Sequence, residues 1–153
     1  MSERKPVIAP MAKASAKRLC VVIALGLLLA VDAHATPLSS SALARSCVLA
    51  LKSWRVSFER GGLVGLQAES QRCFKELRRA PSQRSAVNCA ALDHFSELDS
   101  MNLPPNLQPV YFKTDAVFAR YDEIVAISTP PAERKAFASR LLSTLDETLH
   151  NSR

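Results

Sequence analysis

The chain has 153 residues and a formal net charge of +6, from 20 Lys and Arg against 14 Asp and Glu. That length suits one domain, with a core that can hold together without a metal. The charge does not make a nucleic-acid binder, because five of the basic and two of the acidic residues fall within positions 1–35, leaving +3 for the rest.

Positions 11–35, MAKASAKRLCVVIALGLLLAVDAHA, carry the three parts of a secretory signal peptide. Lys13, Lys17 and Arg18 form its positive end. The apolar run 19–31 has thirteen residues, short of the roughly 18 to 20 that span a bilayer as an uncleaved anchor. Asp32 and His34 end the run, and Ala33-His34-Ala35 places cleavage between Ala35 and Thr36. Cys20 sits at the front of the run, a poor position for lipid attachment. The pattern is complete from Met11, so either Met1 or Met11 serves as the start. Residues 36–153 are then a single exported domain, periplasmic or secreted, with no transmembrane segment.

Apolar residues in that domain recur at helical spacing and show no sustained strand alternation. The fold class expected is all-α, a small antiparallel bundle of four to five amphipathic helices. The first helix begins at the capping serines 39–41 and carries Leu43, Cys47, Ala50, Leu51, Trp54 and Phe58 on one stripe. Gly61-Gly62 stops it. The second, 63–79, shows Leu63, Leu66, Cys73, Phe74 and Leu77, with Arg78 and Arg79 suiting the dipole of its last turn. Pro81 separates it from the third, 83–99, with Val87, Ala90, Ala91, Phe95 and Leu98. Residues 36–100 thus read as a three-helix unit and 101–109, MNLPPNLQP, as a proline-rich linker. A helical hairpin fills 110–153: a helix over 110–127 using Val110, Val117, Phe118, Tyr121, Ile124 and Val125, the prolines of STPPAE as a helix start, and a last helix repeating Phe137, Leu141, Leu145 and Leu149.

Three cysteines survive cleavage into an oxidising compartment, so one is left over. Cys47 and Cys73 are each thirteen residues from position 60, and Cys73 and Cys89 each eight from position 81. Height along two helical hairpins therefore allows both pairings. Helical phase favours the first: Cys47 falls roughly 10° and Cys73 about 50° from the centres of their stripes, whereas Cys89 lies about 160° from that of Val87 and Phe95. The expected disulfide is Cys47–Cys73, leaving Cys89 as a buried thiol or a bridge to a second copy. A central helix that buries two faces would reopen the choice, since Cys89 shares its second face with Leu92.

Chemistry-bearing patterns are sparse. No C-x-x-C pair for zinc or C-x-x-C-H for haem is present, and no cofactor is expected. Asp93, His94 and Glu97 lie within one turn, where a carboxylate and an imidazole could meet one ion, though such spacing also describes an ordinary polar helix face. Arg72, Lys75, Arg78, Arg79 and Arg84 form a basic run that suits an anionic surface, or simply a solvated face. Residues 36–84 hold nine basic and three acidic side chains and 85–153 hold six and nine, so the domain is polarised. Tyr111 or Phe112, if exposed, would be a contact point. With no Gly-rich loop or nucleophile motif, the leading expectation is a non-enzymatic protein-interaction module: adaptor, inhibitor or chaperone-like. The rival is a bundle that binds an apolar ligand or cofactor between its helices. An enzyme would need Asp93, His94 and Glu97 to converge on a cleft with a second set of residues.

Overall fold

The computed structural model describes residues 37–152, which are helix, turn or loop with no strand among them. The expected signal peptide, residues 1–35, lies outside the described residues. Among those described, no helix is long and apolar enough to cross a membrane.

Ser39 starts the first helix as expected, its Oγ accepting a hydrogen bond from the Ala42 amide at 3.3 Å. Helix α1 (Ser40–Arg79) then runs for 40 residues, with Gly62 alone outside the helical region at φ 55 and ψ −154. That positive φ is open to glycine at little cost. Leu49, Ala50 and Ser53 line one cleft together with Glu69, Arg72 and Cys73. A straight helix would hold positions 53 and 69 roughly 24 Å apart, so Gly62 reverses the chain and the arms 40–61 and 63–79 lie side by side. The expected stop at Gly61-Gly62 is therefore a one-residue hinge, and the second helix resumes at once.

Helix α2 (Gln83–Met101) starts at Ser82, whose Oγ accepts from the Ser85 amide at 3.1 Å. It is enclosed on most of its circumference. Ala86, Val87, Cys89, Ala90, Ala91, Leu92 and Phe95 are buried, and so are Asp93, Ser96, Glu97 and Ser100. One arm of α1 reaches it through Trp54, whose Nε1 donates to Ser96 Oγ at 3.1 Å. The other arm reaches it through Ser70, which donates to Asp93 at 2.5 Å.

This enclosure overturns the expected disulfide. The bond joins Cys73 to Cys89, with Sγ–Sγ 1.98 Å and Cα–Cα 5.6 Å, while Cys47 is the free thiol among the described residues and is fully buried. Cys89 is neither left over nor placed to bridge two copies. Phase misleads because it assigns each helix one inward direction, and α2 has several: Cys89 faces the 63–79 arm while Val87 and Phe95 face elsewhere in the core. Cys47 points into the core near Tyr121, away from the seam that Cys73 shares with α2. Closing the 73–89 loop contributes about 3 kcal/mol by the chain-entropy model.

After Met101 the prolines keep the chain irregular until a 3-10 turn at Val110–Phe112. Helix α3 (Thr114–Ser128) begins four residues later than expected, since Lys113 stays extended at φ −68 and ψ 146. The extra turn drives Phe112 wholly into the core, which is worth ~2 kcal/mol. A second 3-10 turn, Pro131–Glu133, leads into α4 (Arg134–His150). Phe137, Leu141 and Leu145 pack inward as their spacing requires. Both arms of α1 and all three later helices contribute to one hydrophobic core.

Candidate functional site

Two constellations stand out, on neighbouring turns of α2. The first is built around Asp93, which is 2% exposed. Arg120 of α3 donates from Nε to Asp93 Oδ2 at 2.6 Å and from Nη2 to the Tyr111 carbonyl at 2.8 Å. Its guanidinium lies over the Tyr111 ring, 3.8 Å from the centroid. Ser70 gives its hydroxyl proton to Asp93 Oδ1, so the Tyr111 hydroxyl, 2.8 Å from Ser70 Oγ, is the donor of that contact. Burial pushes the Asp93 carboxyl up from its ordinary range, against the hydrogen bonds from Arg120 and Ser70, which pull it down. Burial likewise raises the Tyr111 phenol. The assembly ties three helices and the 3-10 turn at Val110–Phe112 together. With every partner satisfied, it is a clasp.

The second is a groove of about 230 Å³ between α2, α3 and α4. Its walls carry Met101 at the end of α2 and Phe118 on the first turns of α3, which are 57% and 51% exposed. Val117, Tyr121 and Leu142 continue the apolar lining. Three polar side chains enter it. His94 Nε2 lies 3.0 Å from Asp146 Oδ1, joining α2 to α4. Glu97 is 7% exposed, and its carboxylate makes neither a hydrogen bond nor an ion pair with the described residues. Because no sealed side-chain oxygen lacks a partner, the Glu97 oxygens open onto the groove.

The residues that the sequence places within one turn are thus sent apart. Asp93 turns to Ser70 and Arg120, His94 to Asp146, and Glu97 to the groove. Among the described residues no group of three or more His, Cys, Asp or Glu side chains could hold a metal ion. Nor does the basic run form one free patch. Arg72 is paired with Glu69, and Arg78 grips Glu123 through Nε at 2.7 Å and Nη2 at 3.0 Å. Lys75, Arg79 and Arg84 remain as exposed charges, with Arg84 lining a cleft beside Arg45 and the exposed Leu49.

Tyr111 and Phe112 are not contact points either: one belongs to the clasp and the other is core. Phe58 and Phe118 are exposed aromatics, at 37% and 51%, and helical spacing counts both as core; Phe118 is the more open. Periodicity misses it because the short α3 presents only Val117, Tyr121, Ile124 and Val125 inward. Arg120 carries no sequence signal, being one basic residue on a helix. Ser70 does carry a faint one, since it interrupts the stripe of Leu66, Phe74 and Leu77, whereas Asp93 lies opposite the stripe of Val87 and Phe95. Comparison of the chain with protein-family models, with curated proteins and with solved structures finds no match.

Proposed function

We propose that the chain is an exported protein-interaction module, non-enzymatic in character, acting as an adaptor, inhibitor or chaperone-like partner through the groove between α2, α3 and α4. The observation that carries this reading is the exposure of Met101 and Phe118 on facing walls of one groove. Large apolar side chains presented by helices whose positions are already held lose little freedom on binding, which favours contact. The Cys73–Cys89 bond supports export, since such bonds persist in oxidising compartments. For this groove an apolar ligand or cofactor is the weaker reading, because it lies below the ~300 Å³ at which sites for drug-sized molecules begin.

A photo-crosslinking residue at position 118, expressed in the native envelope, tests the assignment. It should capture a defined protein that the same residue at position 64, on an exposed valine of the α1 hinge, does not. Phe118→Asp should abolish co-purification of that protein, and Val64→Asp should not. Equal capture at both positions, or retention by Phe118→Asp, removes the groove as the contact surface.

A further inference from the structure

Glu97 is the one buried carboxylate in the groove, and none of the described residues gives it a hydrogen bond or an ion pair. Asp93, a turn earlier and similarly buried, has Arg120. No lysine or arginine lines the groove, and Asp146 on its rim adds a second negative group, 69% exposed at the side chain. We infer that the groove is a cation site: Glu97 is the counter-ion for the guanidinium or ammonium of an arginine or lysine side chain presented by a partner protein. This rests on the interaction reading above and names the chemistry of the partner.

The walls suit such a side chain as well as the floor does. Arginine and lysine carry their charge on a methylene stem that packs against apolar surface. Met101, Leu98 and Val117 supply that surface. Phe118 offers an aromatic ring at the mouth, where a passing cation is attracted to its face. A space of about 230 Å³ has room for one long side chain rather than for a helix or a large ligand.

The full chain, carrying a ¹³C-labelled methionine methyl at position 101, can be titrated with butylguanidinium chloride and with butylurea as its neutral counterpart. Butylguanidinium should shift the Met101 resonance saturably and bind at least about tenfold more tightly than butylurea, the ratio expected when one charge-assisted hydrogen bond is added. Glu97→Gln should erase that preference, and added salt should weaken the cation alone. Equal binding of the two probes, a preference that survives Glu97→Gln, or a preference indifferent to salt each overturns the inference, the last without relying on a variant. Capture at position 118 that persists undiminished in Glu97→Gln removes the cation site and leaves the interaction reading standing. Tight butylguanidinium binding with no capture at 118 removes the interaction reading and with it the partner as source of the cation.

Discussion

Asp93 and Glu97 stand one turn apart on α2, both almost fully buried, and meet opposite fates. Asp93 is held by Arg120 and Ser70, with Tyr111 completing the network. Glu97 faces an apolar groove with no partner among the described residues. The two carboxylates show how one helix can divide its labour. The matched carboxylate closes a seam between helices, and the other lines a groove. The clasp also lies beside the Cys73–Cys89 bond, so the 63–79 arm and α2 are fastened twice, whereas the groove is held by packing, the His94–Asp146 pair and the Tyr121 hydroxyl donating to the Ala138 carbonyl.

If that contrast is right, the clasp is where stability breaks. Arg120→Met strands Asp93 and should cost about 3–5 kcal/mol in urea unfolding, while adding Asp93→Leu to it should recover much of the loss. A single-variant cost under about 1 kcal/mol would mean that Asp93 and Arg120 do not form a clasp. Replacing Cys73 and Cys89 together by alanine should cost about 3 kcal/mol and lower the melting temperature on the order of 10 °C. Non-reducing peptide mapping should join the peptides holding residues 73 and 89, and a 47–73 crosslink would refute the pairing.

Cys47 sharpens the same contrast from inside the core. Burial pushes its thiol up to about 11, so only about one thiol in a thousand is ionised at pH 8. Maleimide should label the native protein very slowly and the urea-unfolded protein at the rate of an open thiol. Fast native labelling would place Cys47 outside the core. On the groove side the expected stability changes are smallest. Glu97→Gln and Phe118→Asp should each stay within about 0.5 kcal/mol of the parent, and a larger loss in either would mean that the groove is part of the structural frame.

The helical class and most element boundaries were readable in the linear pattern. Ser39 caps where serine is expected to cap, the chain breaks at Gly61-Gly62 as expected, and Phe137, Leu141 and Leu145 point inward at their helical spacing. The start of α3 was not, because Phe112 is claimed by the core and Lys113 is left extended. Phe118 looks like a core residue in one dimension and is exposed in three, and Met101, assigned to the linker by the sequence, is the last residue of α2.

What the amino-acid order determined by itself is what depends on neighbours in the chain: caps, turns and the period of an amphipathic face act within a few residues. What only the tertiary structure decided is which faces meet. Periodicity gives each helix a single inward direction, but α2 is surrounded, so the partner of Cys89, the clasp on Asp93 and the open side of Glu97 follow from how the two arms of α1, α3 and α4 pack around it.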